Sequence, residues 1–147
     1  MKECLVRDLQ QADHAQWLPL WRGYLDFYET AFDVAQADLT FARFLDPSEP
    51  MFALVAERDG VLVGTTHCVL HRSTGTRGDY CYLQDLFTAP AARGQGIGRA
   101  LIEAVYARAD AIGYARVYWL THESNQTARL LYDRIATRSG FIHYRHG

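Results

Sequence analysis

Apolar residues recur along this chain with two different periods, and these periods predict its strands and helices. Short runs rich in β-branched and aromatic residues, bounded by turn residues, predict strands. The predicted strands cover residues 3–7, 52–57, 61–70, 80–88, 116–120 and 140–144. The turn between the second and third strands is Arg58-Asp59-Gly60, and its Asp-Gly step is typical of a tight hairpin.

Four other stretches have apolar residues at helical spacing. Asp13 and Asp38 are the predicted N-caps of the first two helices. The later two are predicted over residues 97–112, closed by Gly113, and over residues 125–135. Three consecutive strands indicate antiparallel pairing, and the later strand–helix–strand crossover indicates a parallel pair. We therefore predict a single α/β (α+β) domain over residues 1–147, with a mixed, mostly antiparallel sheet and helices on both faces.

Composition narrows the class of protein. The chain has 147 residues, 49% of them hydrophobic, which is typical of a folded globule. No apolar run approaches the ~18–20 residues of a membrane helix, so we expect no membrane association. The three cysteines, Cys4, Cys68 and Cys81, form no CxxC pair and no zinc-binding pattern. They predict free thiols in a reducing cytoplasm, and no metal site.

The charge is unevenly distributed. Residues 1–60 carry eleven acidic and five basic side chains, a balance of −6, whereas residues 61–147 carry six and ten, a balance of +4. A basic half suits an anionic ligand and an acidic half suits a cationic one, although ordinary solvated surfaces would give the same balance. With one lysine and no basic run, the chain is not expected to bind nucleic acid.

The glycine-rich segment between the strand at 80–88 and the following helix is the most informative motif. It reads Arg93-Gly94-Gln95-Gly96-Ile97-Gly98-Arg99. Glycines let backbone approach a ligand closely, and amide groups at a helix N-terminus form an anion site. The segment lacks the Lys-Ser/Thr ending of a P-loop, and its glycines do not fit the dinucleotide fingerprint. A phosphate site is therefore one interpretation and a plain turn is the other.

The spacing Arg93-x-x-Gly96-x-Gly98, after an apolar strand and a proline, resembles the pyrophosphate motif of the GNAT superfamily of N-acetyltransferases. The resemblance runs from about residue 52 to residue 144. It implies acetyl-CoA as co-substrate, with residues 51–147 as the acetyl-CoA-binding core and residues 1–50 as variable helices over the acceptor site. The cofactor-binding residues that it implies are Leu86, Phe87 and Thr88 through their backbone, Arg93, Gly94, Gln95, Gly96, Ile97, Gly98 and Arg99 around the pyrophosphate, and Asn125 on the pantetheine arm.

A second constellation lies in the last helix. Asn125 and Tyr132 are seven residues apart, which is two helical turns and places them on one face. The run resembles the family's Asn-x-x-Ala-x-x-x-Tyr helix, in which the tyrosine protonates the departing thiolate. Tyr132 is thus the predicted catalytic acid, against the alternative of a core aromatic residue. Asn125 is open to a second interpretation, as a helix cap.

Asp85, on the strand before the loop, is the second predicted catalytic residue. The resemblance favours an acid at this position that deprotonates the amine directly or through water. Binding of a cationic substrate, or pairing with an arginine, are the alternatives. Strand alternation places Asp85 on the same face as Leu83 and Phe87. Tyr28, Glu29 and His122 are weaker candidates for the base.

The first helix carries the predicted substrate-binding residues Trp21, Tyr24, Tyr28 and Glu29, an aromatic and acidic wall suited to an alkylammonium group. Core packing would give the same aromatic stripe. We expect a small primary amine, polyamine or amino-acid-like, as acceptor. The alternatives are an enzyme that acetylates protein amines, a non-catalytic acyl-CoA sensor and another nucleotide-binding enzyme.

The last strand, expected at residues 141–145, would leave an uncovered sheet edge. Because such an edge can pair with another chain, we predict a homodimer.

Overall fold

A five-stranded sheet forms the centre of the fold. The computed structural model describes residues 3–147. The strands lie side by side in chain order: β1 (Leu5–Asp8), β2 (Met51–Arg58), β3 (Val61–His71), β4 (Tyr80–Thr88) and β5 (Arg116–Tyr118). The first three pairings are antiparallel and the last, between β4 and β5, is parallel. The mixed, mostly antiparallel sheet predicted from sequence is confirmed.

Helices cover both faces of this sheet. They are α1 (His14–Phe27), α2 (Val34–Leu45), α3 (Ile97–Ile112) and α4 (Gln126–Ile135). Helices α1 and α2 pack on the face that carries Ala53, Val55 and Phe87, which we call the α1 face. The opposite α3 face carries Phe52, Leu54 and Leu83 under α3. Successive residues of β2 thus alternate between two cores, because strand side chains alternate between faces.

Two glycines, Gly60 in the turn between β2 and β3 and Gly64 in β3, have structural roles. Asp59 and Gly60 both have positive φ, 52° and 78°, as the predicted hairpin turn requires. Gly64 of β3 lies beneath the first turn of α3. A Cβ atom added there would lie 2.8 Å from Ile97 Cγ2. Glycine at this position therefore lets the start of α3 approach the sheet closely.

The N-terminal ends of the first two helices differ from the sequence prediction. Asp13 precedes α1, but its side chain makes no helix-capping bond. Its carboxylate instead accepts hydrogen bonds from the Gln10 backbone (2.7 Å) and the Arg7 guanidinium (2.8 and 2.9 Å). The Arg7 bonds, more than any other contact, lower the pKa of Asp13. The cap of α2 is Asp33 rather than Asp38, because α2 begins one turn earlier and Asp33 accepts from the Ala35 amide.

The C-terminal part of the chain also differs. Strand β5 ends at Tyr118, two residues earlier than predicted, and residues 137–147 contain no strand. The predicted strand at residues 140–144 is therefore wrong. Its apolar side chains Phe141, Ile142 and Tyr144 are exposed, so they lack the neighbouring strand that would fix an extended conformation. Within residues 3–147, no helix combines the length and apolarity needed to cross a membrane.

Candidate active site

The glycine-rich segment forms a turn that ends in the N-terminus of α3. Gly94 and Gly96 have φ values of 76° and 80°, in the left-handed region that favours glycine. Gly96 is the N-cap residue of α3, and the first turn of α3 has no acidic side chain. The first N–H groups of a helix lack intrahelical partners, and the helix dipole adds partial positive charge there. The backbone thus provides converging donors without competing negative charge.

A cavity of about 350 Å³ opens beside this turn. Its walls include most of the predicted pyrophosphate residues and two residues of α4 that the sequence analysis did not assign to the site, Leu131 and Arg134. The complete lining is Thr88, Ala92, Arg93, Gly94, Gly96, Ile97, Gly98, Arg99, Leu131 and Arg134. Three arginines and a helix N-terminus around one cavity suit a diphosphate.

The side chains of the loop are held in different ways. Arg93 donates from Nε to the Thr88 carbonyl oxygen (3.2 Å), and its guanidinium lies 5.5 Å from the centre of the Phe87 ring. Arg99 pairs with Glu103 at 2.8 Å on the exposed side of α3. Gln95 accepts a hydrogen bond from Arg58 at the end of β2. The Gln95 side chain therefore connects the loop to the sheet through this hydrogen bond. Its backbone amide remains available to bind a ligand.

Strands β4 and β5 separate just before the loop. They pair only at Tyr80, Cys81 and Tyr82 of β4. Leu86, Phe87 and Thr88 pair with β3 on one side, and β5 has ended before it reaches their other side. The backbone of residues 86–88 is thus open along one edge, which we call the β4–β5 gap. An extended chain with amide groups fits such an edge, because it can pair there as a strand does.

A bulge at Gln84 changes which face Asp85 occupies. His67 pairs with Asp85 and the next residue, Cys68, pairs with Leu83, so Gln84 has no partner in the register. Leu83 packs on the α3 face, whereas Asp85 and Phe87 lie on the α1 face. The predicted common face of Leu83 and Asp85 is therefore wrong. The extra residue of a bulge breaks the two-residue alternation on which that prediction rested.

The Asp85 carboxylate is partly buried beneath α1, with 14% of its side chain exposed. Its Oδ2 lies 3.0 Å from Nδ1 of His67, and Nε2 of His67 accepts a hydrogen bond of 3.0 Å from the Trp17 indole. Both His67 and Trp17 are buried. Neither residue was predicted from the sequence to belong to the site. The apolar pattern predicts that position 67 lies in a strand, but it does not predict which residue of β4 lies opposite. That pairing depends on the bulge, which has no signal in the sequence.

Three of the four predicted substrate-binding residues form a continuous aromatic series on α1. The ring centres of Trp21 and Tyr24 are 5.2 Å apart, and those of Tyr24 and Tyr28 are 4.8 Å apart. Burial, and secondly the Asp85 carboxylate, raise the pKa values of Tyr24 and Tyr28. Tyr82 of β4 shows the same two effects. One carboxylate is thus surrounded by neutral phenols.

The fourth predicted residue, Glu29, lies apart from this series. It occupies the exposed turn after α1 with a φ of 54°. Its part in substrate binding stays a prediction.

Tyr132 lies on α4 and packs edge-on against Trp119, with ring centres 5.3 Å apart. Burial, and secondly Tyr28, raise the pKa of its phenol. The hydroxyl therefore keeps its proton at neutral pH, as a proton donor must. Asn125 is the N-cap residue of α4, but its side chain makes no capping bond and contacts the Thr121 hydroxyl at 3.4 Å. Asn125 therefore occupies the predicted N-cap position, but its side chain does not form the hydrogen bond of a cap.

Within the described range 3–147, no group of three or more His, Cys, Asp or Glu side chains has the arrangement of a metal site. The titratable groups described above are a carboxylate and several phenols, near an open strand edge and the glycine-rich turn. This set can bind or deprotonate a cation and can protonate a leaving group.

Comparison with known proteins identifies the family. A sequence profile of the acetyltransferase (GNAT) family matches residues 17–136. The chain belongs to the GNAT family. The D-amino-acid N-acetyltransferase HPA3 of Saccharomyces cerevisiae is 34% identical over 143 residues, which cover 96% of this chain and 89% of the yeast protein. The N-acetyltransferase YhfO of Bacillus subtilis is 30% identical, covering 95% and 94% of the two chains.

Solved structures agree with this GNAT assignment. The aminoglycoside acetyltransferase AAC(6')-Iy, in complex with a bisubstrate analogue of CoA and acetylneamine, has a TM-score of 0.84 over 99% of this chain and 98% of its own. The sequence identity is 15%, so this likeness shows the fold alone. Family membership and the two relatives make the protein an acetyltransferase.

Proposed function

We propose that the protein transfers the acetyl group of acetyl-CoA directly to the primary amine of a small molecule, either polyamine-like or amino-acid-like. The observation that carries this proposal is the position of the β4–β5 gap. It lies beside the anion-binding turn of α3, on the strand that also carries Asp85. One strand thus serves both a donor site and a site for a cation.

The donor site has the features that coenzyme A requires. The residues that would hold its diphosphate are Arg93, Arg99 and Arg134 together with the amides of residues 94–99. The open backbone of residues 86–88 suits the amides of the pantetheine arm, and Asn125 remains a candidate for that arm. When bound, acetyl-CoA would supply a thioester, an acyl group already activated toward amines.

The chain's own residues supply the proton transfers. Asp85 attracts the ammonium form of the acceptor and takes its proton, because an amine must be neutral to attack. Tyr132 gives a proton to the sulfur that leaves, and the proton that the nitrogen loses on becoming an amide restores the phenol. Holding both reactants in one site removes much of the entropic barrier of a two-molecule reaction.

The acceptor side favours a small cation. Asp85 sits among the rings of Trp21, Tyr24 and Tyr28, and aromatic faces attract alkylammonium groups. The similarity to a D-amino-acid N-acetyltransferase supports an amino-acid-like acceptor.

The proposal can be tested by measuring thiol release from acetyl-CoA with a panel of amines. The panel contains polyamines, D- and L-amino acids, aminoglycosides and lysine peptides. Release with a small amine is expected. Release with peptides alone would indicate a protein-directed enzyme, and thermal stabilisation by acetyl-CoA without release would indicate a sensor.

The role of the turn can be tested at Gly96. An alanine there must adopt a φ near 80°, which costs a non-glycine residue about 1–2 kcal/mol. We expect Gly96→Ala to weaken acetyl-CoA binding about 5- to 30-fold in calorimetry. Gly75→Ala is the matched control, because Gly75 has no positive φ and no neighbour within 4 Å of an added Cβ. Equal affinities for the two variants would contradict a diphosphate site at this turn.

We also propose that the protein acts in the cytoplasm as a homodimer. The support for the dimer is the exposed apolar segment Phe141, Ile142 and Tyr144 after α4, together with the short edge strand β5. Sedimentation at high micromolar concentration should give a dimer that the double substitution Phe141→Ser, Ile142→Ser shifts toward monomer. A monomer in the wild-type protein would remove this proposal.

A further inference from the structure

A buried chain of polar side chains links α1, β3 and β4 behind the candidate acceptor site. Trp17, His67 and Asp85 come from these three elements in that order. Trp17 and His67 are 0% and 1% exposed. Polar groups buried to this degree are stable only when they are hydrogen-bonded, so the geometry of the chain is strongly constrained.

The direction of each hydrogen bond follows from the chemistry of the indole. An indole N–H can only donate, so Nε2 of His67 must accept, at 3.0 Å. A neutral imidazole carries its hydrogen on one nitrogen, which leaves it on Nδ1. Nδ1–H therefore donates to Oδ2 of Asp85, also at 3.0 Å. Protonation of Nε2 would set two N–H donors against each other, and so the imidazole is held neutral.

The other neighbours of this chain are mostly aromatic rings, and one of them, Tyr24, also hydrogen-bonds to the Asp85 carboxylate. The His67 ring is enclosed by the rings of Trp21 and Phe44, with centres 5.1 and 4.6 Å away. Its register partner on β2 is Ala53. The ionisable groups whose pKa values Asp85 raises are Tyr24 and Tyr28 on α1, Tyr82 on β4 and Cys68 on β3.

We propose that Trp17 and His67 are positioning residues for Asp85. Trp17 fixes the tautomer of His67, and His67 holds Oδ2. Together with the Tyr24 side chain, which also hydrogen-bonds to Asp85, this fixes the orientation in which the carboxylate meets the acceptor amine. The chain cannot carry a proton onward, because the indole has no lone pair that accepts one. The proton taken up by Asp85 must leave on the solvent side. This inference rests on the acceptor role of Asp85 proposed above.

Trp17→Phe tests the proposal, since it keeps a ring but removes the N–H. With histidine labelled by nitrogen-15, we expect the wild-type His67 resonances to be those of the neutral Nδ1–H tautomer. In Trp17→Phe, Nε2 loses its donor, so the same resonances should no longer report a single Nδ1–H tautomer. The kcat/KM for the amine should fall about tenfold.

Two further variants separate hydrogen bonding from packing. Phe44→Leu alters the same ring cluster without touching a hydrogen bond, and it should leave the Nδ1–H tautomer of His67 as in the wild type. His67→Asn keeps an N–H near the place of Nδ1, and it should retain more activity than His67→Leu. Trp17→Phe with the Nδ1–H tautomer unchanged, or Phe44→Leu with the same loss of that tautomer, would overturn the inference. The resonances need no turnover, so they decide this point even if no amine in the panel is acetylated.

Discussion

Replacing Asp85 with asparagine is expected to lower kcat/KM for the acceptor amine by about 10²- to 10⁴-fold, the usual contribution of a positioned base. Asparagine keeps the shape of the side chain and can accept the His67 hydrogen bond, but it has no charge and takes up no proton. Binding of acetyl-CoA should be unchanged, because Asp85 does not line the cavity at the turn. Steady-state kinetics with the best amine of the panel, and calorimetry with acetyl-CoA, make the two measurements.

The pH dependence of this variant is equally informative. An acceptor amine loses its proton to solvent as the pH rises, so the rate of Asp85→Asn should climb toward the wild-type rate at high pH. Asp110→Asn is the matched control, since Asp110 is an exposed carboxylate on α3. A variant with wild-type kcat/KM at neutral pH would show that Asp85 neither binds nor deprotonates the acceptor.

Removing the Tyr132 hydroxyl, as phenylalanine, should lower kcat by about 10²- to 10³-fold, within the range of general acid catalysis. The ring can still pack against Trp119, so the affinity for acetyl-CoA should change little. Because burial raises the pKa of Tyr132, the phenol is protonated, and the wild-type rate should not decline until the pH exceeds the ordinary phenol range of about 10. Single-turnover kinetics across pH measure both effects.

Tyr106→Phe controls for movement of α4. The Tyr106 hydroxyl donates to the carbonyl oxygen of Ile135 at the end of α4 (2.9 Å), so its loss loosens the helix without touching the acid. We expect a small loss of stability and near-normal turnover. If Tyr106→Phe lowered kcat as much as Tyr132→Phe, helix position rather than proton donation would explain the result.

Elements with strong periodicity were predictable from sequence. Strands β2, β3 and β4 follow their apolar runs, and α3 ends at Gly113, which has a φ of 100° as a helix-closing glycine does. The turn with Gly94 and Gly96 at positive φ follows from the glycine spacing. Six of the predicted pyrophosphate residues line the cavity beside it, and their role in binding stays a prediction. Such features depend on neighbours in sequence, so one chain is enough to find them.

Features that depend on contacts across the fold were missed. Asp33 and Asp38 are both reasonable caps by residue type, and the additional turn that begins after Asp33 places Ala37 in the core. The bulge at Gln84 is a property of pairing with β3, and it alone brings His67 opposite Asp85. Arg134 reaches the cavity because α4 folds back beside α3, a tertiary arrangement without local signal.

The strand predicted in the C-terminal segment was wrong for a related reason. Residues 141–145 have the composition of a strand, but β-propensity records how well side chains fit a sheet surface rather than an intrinsic backbone preference. Strand β5 pairs with β4 over three positions only, and the segment after α4 is exposed and pairs with no strand. Composition therefore overestimates strand content where no neighbouring strand is present.

Donor, acid and reaction type all depend on the amides between residues 93 and 99 binding the diphosphate of coenzyme A. Isothermal titration of acetyl-CoA into the folded protein measures this binding. We predict saturable binding with one site per chain, weakened in Gly96→Ala and unchanged in Gly75→Ala. A folded wild-type protein that takes up no acetyl-CoA would contradict the account of the donor site, the acid and the reaction together.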